Sequence, residues 1–244
     1  MHMDDVWRDL HGVVVDHSFA DPVDNLCYDD TLLYLAETGQ IRAALRFWES
    51  PVPFIVLGRS GDPASDLQMD AARGAGVPIY RRSSGGGTVV QGTGCLNYAV
   101  VLPKQGTWQD VRASYRDISA WLLASLQQLG INGTYEPISD LAIQGRKFSG
   151  NAQRRGKNFL LQHGTILYGF NLAWISDWLA QPVAQPPYRR NRSHADFLAN
   201  VDLEPEVWKC VLAKSFQGSL HAEPLPGSLE VLAQQRTWGR VEML

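Results

Sequence analysis

Three consecutive glycines, Gly85-Gly86-Gly87, lie between two apolar stretches and constrain this chain more than any other feature of its sequence. The stretches on either side, 77–80 and 97–102, contain the β-branched and aromatic residues typical of strands. Because glycine has no side chain to pack and loses much backbone entropy on folding, a run of three is unfavourable inside a strand. The run therefore predicts a loop between two strands, where another molecule approaches the backbone closely.

Side chains beside the glycines indicate an anion as that molecule. Arg82 supplies a fixed cation and Ser84 a hydroxyl, and backbone N–H groups continue from Thr88 through Val89 to Val90. The run is not a Walker loop, since no Gly-Lys-Ser/Thr follows it, and not a dinucleotide fingerprint, since a strand follows it instead of a helix. On these residues alone, a mobile turn and a loop that binds a carboxylate or phosphate both stay open.

Segments with strand character outnumber helical segments, and short hairpins recur. The sequence predicts a hairpin turn at Gln144-Gly145 and strands at 12–15, 43–47, 53–58 and 159–168. It predicts helices at 24–36, with Asp24 as the N-cap, and at 66–74, 108–129, 205–216 and 227–236. This pattern favours an α+β fold with a mixed or antiparallel central sheet flanked by helices over a doubly wound fold.

Composition restricts the partners and the compartment. The net charge is −3, and no apolar run approaches the roughly 20 residues of a membrane span, so neither nucleic acid nor a membrane is expected as a partner. The start of the chain is polar and acidic, unlike a signal peptide, and the three cysteines are scattered, so a reducing cytoplasm is the simplest interpretation. Two basic clusters, 154–157 and 189–192, are candidates for a landing patch for an acidic partner.

Three further side chains are candidates for chemistry. Lys147 follows the predicted hairpin turn and precedes small residues, and its compact charge suits a bridge between a carboxylate and a phosphate, although a lysine beside a turn is usually a solvated surface charge. His163 lies in an apolar strand, where a pocket-wall or core role is commoner than acid–base chemistry. Cys95 is either a small buried residue or a thiolate nucleophile, which would need a lowered pKa and an adjacent base.

Taken together, three stretches resemble the lipoate–protein ligase A family, within the biotin/lipoate ligase superfamily. They are 82–87 with Asn97 downstream, 140–152, and 162–167. Asn25-Leu26, Trp48 before 56–59, and 188–194 fit the same pattern, so that the resemblance covers roughly residues 10 to 200. It implies a biotin/lipoate ligase-like catalytic domain at 1–200, and we expect a C-terminal helical extension at 201–244 packed on the same domain.

The resemblance implies a two-step reaction. ATP and lipoate give lipoyl-AMP with the help of Mg²⁺, and the lipoyl group then passes to a lysine of a lipoyl-carrier domain in a 2-oxoacid dehydrogenase or a glycine-cleavage-type protein. Lys147 matches the family's essential lysine, and no metal ligand is assigned. The positions implied to bind lipoate or the nucleotide are Trp48, Arg82, Ser84, Gly85, Gly86, Gly87, Thr88, Val89, Val90, Asn97, Asp140, Ser149, Gly150, Ala152 and His163. Short forms of the family can need a separate accessory protein.

Two departures from the family pattern keep alternatives open. Gln91-Gly92 stands where many relatives have His-Asp, and Cys95 replaces an asparagine. One alternative is an octanoyl- or lipoyl-transferase that works through a cysteine thioester. Its nucleophile lies upstream of the lysine, where residues 130–140 contain no cysteine, so Cys95 would have to serve. The other is a non-catalytic protein that keeps the lipoyl or adenylate pocket.

Overall fold

Strand β6 (Cys95–Pro103) lies in the middle of the larger sheet because its side chains alternate between two buried faces. Leu96, Tyr98, Val100 and Leu102 pack into one apolar cluster, and Ala99 and Val101 into another. The structure, a computed structural model, describes residues 10–237 and 242–243.

The remaining strands and the helices follow in chain order. The strands are β1 (Val13–Asp16), β2 (Ala44–Trp48), β3 (Phe54–Leu57), β4 (Ile79–Arg81), β5 (Val89–Gln91), β7 (Thr134–Glu136), β8 (Asp140–Ile143), β9 (Arg146–Arg155), β10 (Phe159–Leu167), β11 (Ser219–His221) and β12 (Glu242–Met243). The helices are α1 (Pro22–Glu37), α2 (Pro63–Asp66), α3 (Met69–Gly74), α4 (Val111–Gln127), α5 (Ala173–Trp178), α6 (His194–Phe197), α7 (Pro205–Phe216) and α8 (Ser228–Thr237). Two short 3₁₀ helices span Gly106–Gln109 and Pro187–Arg189.

Helices cover both faces of the larger sheet, whose strand order is β11-β1-β2-β6-β10-β9-β8-β7. Apolar residues of α4 and α7 pack on one face, and those of α1 and α8 pack on the other. β1 pairs in parallel with β2, whereas β2, β6, β10 and β9 pair antiparallel, so the sheet is mixed.

The smaller sheet, ordered β12-β4-β3-β5, supports the glycine loop, which connects β4 to β5. The predicted hairpin turn joins β8 to β9, and both of its residues have a positive φ, 50° at Gln144 and 73° at Gly145. The glycine loop and both strands of this hairpin contribute residues to the cavity described below.

Helix ends differ from the sequence prediction for identifiable reasons. Helix α1 begins at Pro22, and its cap is Asp21, whose Oδ1 accepts from Val23 N at 2.9 Å, so the predicted cap at Asp24 is wrong. Proline suits the first helical turn because it lacks the N–H that would have no partner there. Of the helix predicted at 66–74, residues 69–74 form α3, whereas Asp66 ends the separate short helix α2.

The predicted long helix starts later, because residues 106–109 form a 3₁₀ turn and Asp110 caps α4 by accepting from Ala113 N at 2.7 Å. Helix α7 has its predicted bounds, and α8 is shifted by one residue. Between them β11 adds a strand beside β1, which the expected helical extension did not include. The division at residue 200 stays a prediction. None of the described helices is both long and apolar enough to cross a bilayer.

Candidate active site

A cavity of about 750 Å³ opens where the glycine loop, the β8–β9 hairpin and the segment 182–189 meet. One part of its wall is apolar, with Trp48, Val56, Leu167, Ile175 and Leu179. Another part carries charged or titratable side chains from several elements: Asp29, Asp66, Arg82, Asp140, Lys147, His163, Arg189 and His194. A cavity of this size with both kinds of wall suits a ligand that has an apolar chain and an anionic group.

Lys147 reaches this cavity from β9. Its Nζ lies 2.8 Å from Oδ1 of Asp140 on β8, and its side chain is 27% exposed. The other oxygen of Asp140 accepts a hydrogen bond of 2.8 Å from the Tyr188 hydroxyl. A Cβ on Gly150 would lie 2.9 Å from the lysine Nζ, so a glycine at this position leaves room for the ammonium. The lysine is therefore held in the cavity wall by a paired carboxylate.

Arg82 is buried beneath the glycine loop and binds it through neutral oxygens. Its Nε donates to Ser84 Oγ at 2.9 Å, and its Nη2 donates to the carbonyls of Gly85 and Gly87 at 2.6 and 3.0 Å. Burial lowers the pKa of the guanidinium to about 10, and within residues 10–237 and 242–243 no carboxylate forms an ion pair with it. The group therefore brings an uncompensated positive charge to the cavity wall, which suits an anion.

Ser84 and His163 join the loop to the larger sheet. Ser84 Oγ accepts from Arg82 Nε and lies 2.6 Å from His163 Nε2. His163 Nδ1 lies 3.1 Å from Oδ2 of Asp29, and because an ionised carboxylate only accepts, Nδ1 is the donor there. The second oxygen of Asp29 accepts from Arg46 Nη1 at 2.7 Å, and both of these charged side chains are almost fully buried. His163 therefore links the glycine loop to this buried ion pair.

Other contacts fasten the same loop at both ends. Ser83 Oγ donates to Asp30 at 2.8 Å, and Arg154 forms an ion pair with the same carboxylate. Thr88 Oγ1 donates to Asp66 at 2.7 Å. Burial, the largest cause, raises the pKa of Asp30. Arg154 is therefore engaged within the protein rather than free for a partner.

Two arginines of the second basic cluster also bind within the protein. Arg189 is buried and donates to Gln181 and to the carbonyl of Arg192, and Arg192 donates to the carbonyls of Arg189, Tyr188 and Gly145. Lys157 of the first cluster and Arg190 of the second are exposed, and the landing patch stays a prediction.

Cys95 does not line the cavity. Its thiol is fully buried, and burial raises its pKa, which makes a thiolate unfavourable. The Sγ–H donates to Oε1 of Gln91 at 3.3 Å, and Asn97 Nδ2 donates to the same oxygen at 2.9 Å. Cys95 therefore supports Gln91 and Asn97, which line the cavity, and the Gln91 carbonyl oxygen accepts from both Cys95 and Asn97.

All but two of the sequence-predicted site residues line one cavity. The exceptions are Ser84 and Gly85, which bind Arg82 instead. The lining residues are Trp48, Arg82, Gly86, Gly87, Thr88, Val89, Val90, Asn97, Asp140, Lys147, Ser149, Gly150, Ala152 and His163. Sequence reasoning missed the roles of Asp29, Arg46 and Tyr188. The acidic pair Asp29-Asp30 inside an apolar helix was the available signal, since buried carboxylates need partners.

The carboxylates at the cavity do not form a resident metal site. Among the described residues no group of three His, Cys, Asp or Glu side chains could hold a metal ion. Asp29, Asp66 and Asp140 each already bind a protein side chain. Mg²⁺ is commonly held by substrate phosphates together with one or two carboxylates, so these residues do not fit a metal bound without nucleotide.

The sequence matches the lipoyl protein ligase A/B catalytic domain over residues 21–210. The chain belongs to this family. This match confirms the resemblance on which the sequence interpretation rests.

Curated relatives of this family member include both ligases and transferases. A putative lipoate-protein ligase A from Aeropyrum pernix is 32% identical over 143 residues, 59% of this chain and 52% of that protein. A probable lipoate-protein ligase A from Mycoplasma pneumoniae is 27% identical and matches 65% of this chain and 46% of that protein. Octanoyltransferase LipM from Symbiobacterium thermophilum is 26% identical over 84% of this chain and 85% of that protein. The chain thus spans about half the length of the two ligases.

Solved structures share the fold. A chain from the structure of a bi-partite lipoate protein ligase and its E2 lipoyl domain from Thermoplasma acidophilum has a TM-score of 0.78 and 20% identity, covering 93% of this chain and 91% of that chain. A lipoate-protein ligase A bound with ATP has a TM-score of 0.75 and 20% identity, covering 92% and 93%. The expected α+β fold of biotin/lipoate ligase type is confirmed.

Proposed function

We propose that this chain is an ATP-dependent lipoate–protein ligase of the cytoplasm. The observation that carries the proposal is the position of Lys147 in the wall of a partly apolar cavity that is also lined by the glycine loop and by the buried cation Arg82, which anchors that loop. Two cations beside one apolar chain-binding space are what the activation of a fatty-acid-like carboxylate by a nucleotide requires.

In the first step a lipoate carboxylate oxygen forms a bond to the α-phosphorus of ATP. The bond from that phosphorus to the bridging oxygen breaks, and pyrophosphate leaves with the electron pair. Both reactants are anions, so Lys147 is assigned to contact a carboxylate oxygen and an α-phosphate oxygen at once, reducing their repulsion. Arg82 and the amides of Thr88 and Val89 are assigned to the phosphates. Mg²⁺, when bound to the nucleotide, would neutralise further phosphate charge.

In the second step the amine of an acceptor lysine attacks the acyl carbon of lipoyl-AMP. The acyl–oxygen bond breaks, AMP leaves, and the amine proton is released to solvent or phosphate. We assign the acceptor to a lipoyl-carrier domain of a 2-oxoacid dehydrogenase or of a glycine-cleavage-type protein. The structural analysis of a ligase of similar fold and its E2 lipoyl domain supports a partner of this kind.

A second candidate function is acyl transfer from a carrier protein through a cysteine thioester. The long match to an octanoyltransferase favours it. The three cysteines argue against a thioester. Cys27 and Cys95 are buried and have raised pKa values, and Cys210 is exposed. None of the three is among the residues that line the cavity. A thioester route needs an accessible thiolate beside the acyl chain.

One experiment separates these functions. An unmodified lipoyl domain is incubated with the protein, Mg²⁺ and lipoate, with and without ATP, and weighed by intact-mass spectrometry. Pyrophosphate and lipoyl-AMP are measured in parallel. A lipoyl adduct that depends on ATP is the expected result, and lipoyl-AMP without transfer would indicate that a separate accessory protein is needed.

Two results would contradict the proposal. Transfer of an octanoyl group from octanoyl-carrier protein without ATP would establish the transferase. Tight binding of lipoyl-AMP with neither reaction would identify a non-catalytic binding protein.

A further inference from the structure

Asp140 uses both of its carboxylate oxygens on side chains from different parts of the chain. Oδ1 pairs with Lys147 Nζ at 2.8 Å, and Oδ2 accepts from the Tyr188 hydroxyl at 2.8 Å. Asp140 is itself buried, with a side chain 11% exposed. A buried carboxylate with a fixed donor on one oxygen cannot rotate freely, so the hydroxyl determines where the other oxygen points.

We propose that Tyr188 is a positioning residue that controls Lys147 through Asp140. The inference rests on the proposed function, in which Lys147 must exchange its carboxylate partner for substrate oxygens. By donating to Oδ2, the hydroxyl withdraws electron density from the carboxylate and weakens its hold on the ammonium. Tyr188 thereby keeps Lys147 aimed into the cavity while leaving it able to move onto the substrate.

The place of Tyr188 in the fold connects the lysine to a cavity wall from a distant part of the sequence. It lies in the 3₁₀ helix Pro187–Arg189, directly after residues 182–187, which line the cavity. Its ring packs on Phe197 with ring centroids 5.0 Å apart, and Arg189 and Arg192 lie over the same Phe197 ring. The Tyr188 hydroxyl therefore connects this independently packed wall to the carboxylate that pairs with Lys147.

Other charged and titratable groups act on the same cluster and must be kept constant in any test. Those with an electrostatic effect on Lys147, Asp140 or Tyr188 are Tyr135, Glu136, Arg189, Arg192 and His194. None of them is changed in the variants below.

The test compares Tyr188→Phe with a matched control, Tyr168→Phe. The first change removes only the hydroxyl and keeps the ring that packs on Phe197. Tyr168 also donates to a carboxylate, Glu49, at 2.8 Å, but neither residue is among those that line the cavity. For Tyr188→Phe we expect kcat of lipoyl-AMP formation to fall about three- to tenfold, the effect of one net hydrogen bond, with KM values nearly unchanged. Tyr168→Phe should leave both constants unchanged.

A second measurement does not depend on turnover. The rate at which acetic anhydride acetylates the Lys147 amine is followed against pH by peptide mass spectrometry. Without the hydroxyl, Asp140 holds the ammonium more strongly, so the rate profile of Tyr188→Phe should move to higher pH. In an Asp140→Asn background, Tyr188→Phe should have no further effect, because its action passes through the carboxylate.

The acetylation profiles test the role of Tyr188 separately from the proposed ligase function. If the wild type forms no lipoyl-AMP, the proposed function fails, and the acetylation profiles still decide the inference. An unchanged profile in Tyr188→Phe overturns the inference. So does an equal shift with and without the Asp140 carboxylate, or an effect matched by Tyr168→Phe, since each would mean that the hydroxyl acts only on general stability.

Discussion

Gly58, directly after β3, and Gly86, in the glycine loop, approach so closely that a Cβ on Gly58 would overlap the carbonyl oxygen of Gly86. There is also little space on the other side of the loop, where a Cβ on Gly86 would lie 3.0 Å from Arg82 Nη2 and 3.4 Å from the Cβ of Ala152. The loop is therefore clamped between the smaller sheet and the cavity wall, and small residues on both sides of the contact are a steric requirement.

Replacing Gly58 by alanine should displace the loop. Because the overlap is with backbone, the loop must move as a unit, and we expect KM for ATP to rise about 5- to 30-fold, as for loss of about 1–2 kcal/mol of binding. Gly74→Ala is the matched control, because a Cβ there meets nothing within 4 Å. Equal kinetics for the two variants would contradict the clamped-loop arrangement.

Removing the Lys147 ammonium should abolish adenylate formation without unfolding the protein. We expect Lys147→Ala to lower kcat about 10²–10³-fold, the usual effect of losing one preorganised charge at a reacting group. Lys147→Arg should not restore it, since a planar fork cannot replace a compact point charge. Pyrophosphate release is the measurement, and Lys157→Ala, a change at an exposed lysine away from the cavity, is the control.

Breaking the buried ion pair between Asp29 and Arg46 should cost far more stability than breaking an exposed one. Asp29→Asn leaves the Arg46 guanidinium, which is fully buried, without a charged partner, so the free energy of unfolding should fall by about 3–5 kcal/mol. Arg116→Ala, which removes a largely exposed partner of Asp117, should cost less than about 1 kcal/mol. Urea unfolding of both variants measures the difference, and comparable losses would be evidence against it.

The three cysteines should differ sharply in reactivity. Burial raises the pKa of Cys27 to about 12 and raises that of Cys95 further, whereas Cys210 is exposed. Iodoacetamide on the folded protein near neutral pH should therefore give one adduct, at Cys210. Cys95→Ser should keep most ligase activity. An acyl adduct on Cys95, lost together with transfer in the serine variant, would instead support the thioester route.

His194 should make stability depend on pH in the mildly acidic range. Burial is the main cause that lowers its pKa below the usual 6.5, helped by Arg189 and Lys147 nearby. Below about pH 6.5 the imidazole of His194 is therefore protonated more readily in the unfolded chain than in the folded one. The free energy of unfolding should rise with pH up to about 6.5 and fall as pH drops below that value. His194→Gln should flatten this part of a urea-unfolding pH series, and an unchanged slope would contradict the assignment.

The local sequence predicts helices and turns well where the residues at their ends favour that end, such as a proline at a helix start or residues that accept a positive φ in a turn. Helix α7 has its predicted bounds, with a proline at its first position and Gln217 in the left-handed conformation after its last. The Gln144-Gly145 turn forms as predicted, because a tight hairpin needs two residues that accept a positive φ. The predicted cap of α1, Asp24, is wrong by three residues. Two aspartates lie near the start of this helix, and the proline between them favours Asp21 as the cap.

The candidate site is only partly predictable, because its partners come from distant segments. The motif residues at 82–90 and 147–152 indicate the cavity, but the groups that hold them cannot be found by spacing. Tyr188 lies 48 residues from Asp140, and Arg154 lies 124 residues from Asp30. Nothing in a linear pattern distinguishes these side chains from solvated ones.

By itself, the sequence determined the strand–loop–strand that carries the glycines, the hairpin that carries Lys147 and the family to which the chain belongs. These depend on local backbone preferences and on short motifs, which the order of residues specifies directly. Only the tertiary structure decided that Cys95 is buried outside the cavity lining, that Arg154, Arg189 and Arg192 are engaged internally and that Asp140 joins Lys147 to Tyr188. Burial and long-range pairing cause these outcomes, and both arise only once the two sheets and their helices have packed.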